Sequence, residues 1–364
     1  MTKRRLTITA ALVAVVIVLA GCSSLHKTSG IIKGKNHTEG FVGVILPSAD
    51  ASDRWVTADK VFLQAAFDAV GVRVDIQNAN RDKATFATIA NKMMEAGAKV
   101  LILVNLDSES AKAVQDKAAV RGVKTIDYDR LTLNGSASYY VSFDNEAVGR
   151  LQGEGIKACL DGVGKTNARI VYLNGSPTDN NATLLKAGYD SVLRPLIDSK
   201  RYTLVDDQAV PDWDKTKGRV IFEQMLTKAG GKLDAVVAAN EALGLLAVTI
   251  LKKSKLTGTV CVSGQDASVD GLRAILTGDL SITVYKAIKA EADGVAALAV
   301  ALLMGTVPTT ITGSVNNGRI TVPSVLLIPV AITKANVKDV IADGFQKREV
   351  VCAGIEELCT ANGI

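Results

Sequence analysis

Short apolar runs rich in β-branched residues alternate along the chain with segments whose apolar residues recur at helical spacing. This alternation predicts an α/β fold of parallel sheets with helices on both faces. Eleven such runs exceed one compact sheet, so we predict two doubly wound, Rossmann-like lobes. The runs occupy residues 41–46, 72–76, 100–104, 123–126, 139–143, 168–173, 202–205, 233–238, 260–264, 281–285 and 325–330.

Polar and aromatic side chains follow several of these runs. In doubly wound sheets ligands bind beyond the carboxyl ends of the strands, so these positions are the candidate site. Sugar hydroxyls both donate and accept hydrogen bonds, and the C–H faces of a sugar ring lie well on aromatic rings. The pattern therefore predicts a sugar site. The candidates are Arg54-Trp55, Asp127–Arg130, Asn174–Asn181, Trp213, Asn240-Glu241, Gly264–Asp266 and Tyr285-Lys286.

Composition narrows the class of protein. The chain has 364 residues, 48% hydrophobic and 22% charged, which is a globular composition with room for two domains. Its two histidines, His26 and His37, both precede the first predicted strand. A Ser/His/Asp triad, a Cys/His pair and a histidine-bearing zinc site are therefore excluded. We expect no enzyme activity, no metal and no cofactor.

The amino terminus resembles an export signal. Basic residues 3–5 precede an apolar run at 6–20, which is shorter than the roughly 20 residues that span a bilayer. Residues 1–21 are thus a predicted signal peptide, and the sequence before Cys22 resembles a lipobox, which predicts lipidation of Cys22. Residues 22–39 are a predicted flexible tether. An uncleaved signal anchor is the alternative, and both place the body outside the cytoplasm, attached to the cell membrane.

Removal of this segment also changes the charge. The full chain carries +5, but the part after residue 21 has 39 Lys and Arg against 37 Asp and Glu. A balance of +2 over two lobes gives no reason to expect a nucleic-acid partner.

The chain has four further cysteines, and two of them are predicted to form a disulfide. Cys352 and Cys359 lie seven residues apart in the tail, residues 346–364, and we predict that they form a disulfide. Cys159 and Cys261 lie in a helical and a strand-like segment, and we interpret them as small buried apolar residues.

Seven short stretches occur in order across about residues 40–345: Arg54-Trp55, Tyr128–Arg130, Ser142–Glu146, Gly175–Pro177 with Asp179–Asn181, Ser263–Ala267, Thr283–Lys286 and Asn316–Gly318. Because these stretches occur in this order and at this spacing, the chain resembles the D-xylose-binding proteins of bacterial ABC importers. Those proteins belong to the ribose/galactose-type periplasmic binding proteins. It differs at Glu241, where that group has Asp, and at Ala209, where it has Trp, so the exact sugar stays open.

The resemblance implies a periplasmic binding protein fold of type I, in which three crossing strands join the lobes and sugar lies in the cleft. Residues 40–144 and 286–320 would form the N-terminal lobe, and 145–285 and 321–345 the C-terminal lobe. It also implies that two tryptophans, Trp55 and Trp213, flank a sugar hydrogen-bonded by Arg54, Asp129, Arg130, Asp179, Asn181, Asn240, Asp266 and Lys286. The alternatives are a surface ion pair for Asp129 and Arg130 and a helix N-cap for Asp179.

By the same resemblance, the chain is expected to be a monomeric lipoprotein that delivers an aldopyranose, first of all D-xylose, to an ABC permease with its ATPase by hinge closure. A sensor that presents bound sugar to a chemotaxis or kinase receptor is the alternative. Both functions need the same body, so the sequence does not separate them.

Overall fold

The computed structural model of the protein describes residues 40–49, 51–256 and 258–364. The predicted signal peptide (1–21), the lipidated Cys22 and the tether (22–39) lie outside these residues. In the described part of the chain, no helix combines the length and the apolar character needed to cross a bilayer.

The described residues form thirteen strands and twelve α-helices, with helices between most strands as predicted. The strands are β1 Phe41–Leu46, β2 Val74–Asn78, β3 Ala98–Leu103, β4 Lys124–Tyr128, β5 Tyr139–Phe143, β6 Ala168–Asn174, β7 Tyr202–Ala209, β8 Ala235–Ala238, β9 Cys261–Val262, β10 Thr283–Tyr285, β11 Gly313–Asn316, β12 Thr321–Leu327 and β13 Val330–Ile332. The helices are α1 Lys60–Ala69, α2 Lys83–Glu95, α3 Ser108–Val120, α4 Asn145–Gly162, α5 Asn180–Asp198, α6 Lys215–Lys228, α7 Glu241–Lys253, α8 Val269–Thr277, α9 Ile288–Met304, α10 Val337–Ala342, α11 Arg348–Val351 and α12 Glu356–Ala361. A π-helical turn, Trp55–Asp59, precedes α1, and a 3₁₀ turn, Pro211–Trp213, precedes α6.

Seven strands form the first sheet, in the order β11-β12-β5-β4-β3-β1-β2. All neighbouring strands are parallel except β11, which pairs antiparallel with β12 at one edge. Every residue of β1 is buried, as expected for a parallel strand covered by helices on both faces. The apolar pattern did not predict β11, because Gly313–Asn316 contains a single apolar side chain.

The second sheet is four parallel strands, in the order β7-β6-β8-β9. An antiparallel pair, β10 and β13, continues it through a parallel bridge between Ser263 and Ile282. Helices α4 and α5 pack so closely that a Cβ on Gly149 would lie 2.0 Å from the carbonyl oxygen of Leu185. Glycine at position 149 therefore permits this backbone approach. The two sheets confirm the predicted α/β class.

The chain passes between the two sheets after β5, after β10 and after β12. At the first crossing the Asp144 carboxylate caps α4 by accepting a hydrogen bond from the Ala147 N–H at 2.9 Å. The last crossing lies elsewhere than the sequence suggests, because β12 pairs with β5 in the seven-stranded sheet. Pro329, which has no N–H to donate, separates β12 from β13. We therefore propose a lobe boundary after Leu327 instead of residue 320.

Two disulfides are present in the described residues. Cys352 and Cys359 form one, as predicted from their spacing. The interpretation of Cys159 and Cys261 as small apolar residues is wrong, because they form the other. Their Cα atoms are 6.1 Å apart although 102 residues separate them, so packing of α4 against β9 brings the thiols within bonding reach. This bond fixes a helix to the second sheet.

Candidate ligand-binding site

A cavity between the two sheets, the central cavity, is lined by residues that follow strands of both sheets. All ten side chains predicted to surround a sugar line it, and each is only 2 to 6% exposed. They are Arg54, Trp55, Asp129, Arg130, Asp179, Asn181, Trp213, Asn240, Asp266 and Lys286. The structure thus brings all the predicted positions together, and it adds Ala51, Ser52 and Gln265 to the wall.

Strand ends position these side chains. Arg54 and Trp55 follow β1, and Asp129 and Arg130 follow β4, so the seven-stranded sheet supplies one wall. The opposite wall follows the strands of the second sheet and its β10 extension: Asp179 and Asn181 after β6, Trp213 after β7, Asn240 after β8, Asp266 after β9 and Lys286 after β10. Parallel strands present their carboxyl ends at one edge, which explains the convergence.

Arg54 holds three buried carboxylates at the first wall. Its Nη1 donates to Asp129 Oδ2 at 2.8 Å, and its Nη2 lies 2.7 Å from Asp59 Oδ1 and 2.9 Å from Glu291 Oε2. The Tyr128 hydroxyl also donates to Asp59, at 2.9 Å. Burial raises the pKa of both Asp59 and Glu291 despite this guanidinium. With Nε, which donates to Asp59 Oδ2 at 2.8 Å, the guanidinium is fixed by four contacts before any ligand arrives.

Asp129 differs from these two acids, because its pKa is lowered. Burial alone would raise its pKa, but the charges of Arg54, Lys286 and Arg130 outweigh burial and hold that pKa at about 2. Lys286 Nζ lies 3.6 Å from Asp129 Oδ2 and 3.6 Å from Asp266 Oδ1, so it bridges two carboxylates. The alternative of a surface ion pair is excluded, because Asp129 is buried and Arg130 pairs with another residue.

That partner of Arg130 is Asp179, on the opposite wall. Arg130 Nε lies 2.9 Å from Asp179 Oδ2, which also accepts a hydrogen bond from Trp213 Nε1 at 3.1 Å. The other oxygen, Oδ1, accepts from the Asn181 N–H at 2.9 Å and caps α5. Asp179 therefore caps the helix through one oxygen, and its other oxygen faces Arg130 and Trp213 at the cavity. Its contact with a sugar remains a prediction.

The Trp213 indole lies over a glycine. A Cβ on Gly175 would lie 2.1 Å from the Trp213 ring, so only glycine allows the ring to lie there. On the first wall, the Arg54 guanidinium lies 4.5 Å from the centroid of the Trp55 ring, a cation–π contact. Both indoles thus line the cavity in fixed orientations. Their contact with a sugar remains a prediction.

Three residues of the cavity have a backbone conformation that side chains other than glycine rarely adopt. The φ angles are 60° at Asp129, 54° at Trp213 and 114° at Asp266. Each such residue costs about 1 to 3 kcal/mol, and such strain concentrates at functional sites. The strain at these three cavity positions favours a ligand-binding role for them.

The strand-end pattern did not predict Asp59 and Glu291. Asp59 lies in the π-helical turn and Glu291 in the first turn of α9, and both are fully buried. A signal existed for Glu291, because α9 is otherwise largely apolar and a buried acid needs a partner. No local pattern would have paired either residue with Arg54.

Glu241 supports the cavity from behind Asp266. Its Oε2 accepts from the Ser268 N–H at 2.8 Å, and its Oε1 lies 2.5 Å from the Thr283 hydroxyl. Burial, and then the nearby Asp266 charge, raise the pKa of Glu241 to about 8. Glu241 is therefore mostly protonated at neutral pH, which removes one negative charge from the site.

Replacing Glu241 with glutamine is expected to flatten the dependence of stability on pH. A pKa raised in the folded state means that the carboxyl group stabilises the fold below about pH 4, and that this contribution disappears as pH rises through about 8. Between pH 5 and pH 7 the free energy of unfolding of the wild type should fall by about 2 kcal/mol relative to Glu241→Gln, in urea titrations. The exposed Glu223→Gln variant should follow the wild type. Equal slopes for the wild type and Glu241→Gln would contradict the assignment.

Comparisons with known proteins agree with this geometry. The family model described as "Periplasmic binding protein domain" matches residues 42–306. The chain is 37% identical to the D-xylose-binding periplasmic protein of Escherichia coli (strain K12), over 91% of this chain and 97% of that protein. It is 32% identical to the multiple sugar-binding periplasmic receptor ChvE of Rhizobium radiobacter, over 84% and 90% of the two chains. A solved solute-binding protein of a Chloroflexus aurantiacus carbohydrate transporter, in complex with D-glucose, is similar with a TM-score of 0.77 and 26% identity, over 86% of this chain and 98% of that chain.

Proposed function

The chain belongs to the periplasmic binding protein family, whose members bind solutes and are not enzymes, and we propose that it binds a neutral monosaccharide, D-xylose first of all. We further propose that it delivers this sugar to an ABC permease with its ATPase, as a monomer attached to the membrane through a lipidated Cys22. The carbohydrate transporter protein similar in structure supports delivery to a permease. The relative described as a multiple sugar-binding periplasmic receptor leaves a sensory role as the alternative.

The charge balance of the central cavity is the observation that carries the proposal. Its three cations, Arg54, Arg130 and Lys286, each already have a carboxylate partner within 3.6 Å. A charged ligand would enter this buried site without a free counter-charge, which is costly. A neutral polyhydroxylated ring meets donors and acceptors that are already oriented, and hydrogen bonds to charged groups contribute about 1.5 to 3 kcal/mol each.

Contacts between the two walls support closure by a hinge. Ser52 Oγ donates to Asp266 Oδ2 at 2.8 Å, and Asn181 Nδ2 donates to the Asp129 carbonyl at 2.9 Å. At the rim, Arg81 forms an ion pair with Asp214. A sugar that bridges the walls would add contacts that only the closed arrangement completes, and it would lower the free energy of that arrangement. The permease would then recognise the closed shape.

Calorimetry with a matched set of sugars tests the proposal. The full chain should bind D-xylose or D-glucose and bind D-glucuronate and D-glucosamine at least about tenfold more weakly, because the latter two carry a charge on a similar ring. D-ribose tests the preference among epimers. If none of the neutral pyranoses binds, the proposed function is overturned. If D-glucuronate binds as tightly as D-glucose, the argument from the charge balance of the cavity is overturned.

A further inference from the structure

We propose that Gln265 is a further specificity-determining residue of the central cavity, and that its side-chain amide hydrogen-bonds one particular hydroxyl of the bound sugar. The inference rests on the proposed function, since it names a contact within the same site. Gln265 is absent from the residues that the family resemblance assigns to the sugar.

The backbone around Gln265 is fixed by neighbouring strands. The Gln265 carbonyl accepts from the Glu241 N–H at 3.1 Å, and the N–H groups of Gly264 and Asp266 donate to β10 and its approach, at 2.9 Å each. The side chain is only 6% exposed and lines the cavity. Its position therefore does not depend on its own amide, and the amide is left to act on what enters the cavity.

The oxygen of that amide lacks a protein partner among the described residues. Gln265 Oε1 is buried and accepts no hydrogen bond. An unpaired buried carbonyl is unfavourable, and each such group in a folded protein calls for an explanation. A hydroxyl of a ligand in the cavity would satisfy it.

Two other atoms of the same cavity share this condition. Trp55 Nε1, a donor, and Asn181 Oδ1, an acceptor, are also buried without a hydrogen-bond partner. The three residues come from segments after β1, β6 and β9, and all of them line the cavity. One donor and two acceptors left open at one cavity match the hydroxyls of a single sugar ring, each of which can both donate and accept.

If Gln265 Oε1 accepts a hydrogen bond from one sugar hydroxyl, a sugar without that hydroxyl should bind more weakly. The analogue without that hydroxyl would leave Gln265 Oε1 unpaired in the complex, while the other analogues would still pair it. Removal of the amide and removal of the hydroxyl should therefore each weaken binding about tenfold, the effect of one net hydrogen bond, and the two losses should not add.

The test is a thermodynamic cycle by calorimetry on the full chain. The wild type and Gln265→Leu are titrated with D-xylose and with its four analogues that each lack one hydroxyl. Relative to the wild type, Gln265→Leu should bind D-xylose and three of the analogues about tenfold more weakly. It should bind the fourth analogue, which lacks the hydroxyl that pairs with Gln265, as tightly as the wild type binds it. Gln265→Met, which keeps the length of the side chain, replaces Gln265→Leu if the latter does not fold.

Gln152→Leu is the matched control. Gln152 is also a buried glutamine whose Oε1 has no partner, but it lies outside the central cavity, and its Nε2 donates to the carbonyls of Ala238 and Ala239. Any loss that Gln152→Leu causes should be equal for all five ligands. A loss that is equal for all five ligands in the Gln265 variants would overturn the inference while leaving the proposed function intact. A wild type that binds neither D-xylose nor any other neutral sugar would overturn the proposed function itself.

Discussion

Replacing Trp213 with alanine is expected to weaken binding of D-xylose at least about 100-fold. The change removes the indole face, which would lie on the C–H groups of the sugar, and the N–H that holds Asp179 at 3.1 Å. Asp179 would then lose one of the contacts that orient it toward the cavity. Together these losses amount to about 3 kcal/mol, and each 1.4 kcal/mol is a factor of ten. Calorimetric titration of the variant with D-xylose measures the effect.

Trp213→Phe separates the two contributions. The phenyl ring keeps an aromatic face over Gly175 but cannot donate to Asp179, so this variant should lose only about tenfold. Circular dichroism should show both variants folded, since Trp213 lies in the 3₁₀ turn after β7 and not within a strand. Affinity within threefold of the wild type for Trp213→Ala would remove this indole from the site.

Replacing Arg54 with methionine is expected to lower the free energy of unfolding by about 3 to 5 kcal/mol at neutral pH. The variant leaves Asp59, Asp129 and Glu291 buried without the cation that all three contact. Breaking a buried ion pair from one side has an effect of this size, because the remaining charge loses both water and its partner. Urea denaturation of the protein without ligand measures it.

The loss of stability in Arg54→Met should increase as pH rises. In the wild type, Asp129 has a pKa of about 2, so it contributes stability above about pH 4 that is lost as pH falls towards 2. Without Arg54 its pKa should rise, and a raised pKa removes stability as pH increases. The deficit of Arg54→Met should therefore be larger at pH 8 than at pH 5.

Arg319→Met provides a surface control for Arg54→Met. Arg319 pairs with Asp116 at 3.6 Å, and both side chains are nearly half exposed. Such a pair contributes at most about 1 kcal/mol, so its loss should change stability little at either pH. The central role of the guanidinium would be refuted if Arg54→Met lost as little stability as Arg319→Met. It would also be refuted if the loss for Arg54→Met were larger at pH 5 than at pH 8.

The fold could be predicted from the sequence where local pattern and burial coincide. The predicted boundaries of β1 and β5 match those observed, because parallel strands covered on both faces consist of continuous apolar runs. The pattern failed at β11, an edge strand with one apolar residue, and at the run 325–330, which Pro329 divides between the two sheets. Edge strands and crossings depend on neighbours that local sequence does not specify.

In the site, too, local sequence predicts some residues, and others depend on tertiary packing. Its ten predicted positions follow strands, and strand ends converge whatever the details of packing, so the sequence located them in one cavity. Asp59 and Glu291 contact Arg54 from helical segments, and the latter is 237 residues away in sequence. Pairs at such distances, like Cys159 with Cys261, are decided by tertiary packing, which one sequence does not reveal.

The two disulfides also determine how the protein can be labelled. All four cysteines of the described residues are bonded to one another, so these residues contain no free thiol. A cysteine introduced at Lys215, which is exposed and lies 3.5 Å from Asp53 across the cleft, would be the one thiol in this part of the chain able to react with a maleimide dye. Fluorescence of that dye would then follow motion of the walls directly, provided that no reductant is present.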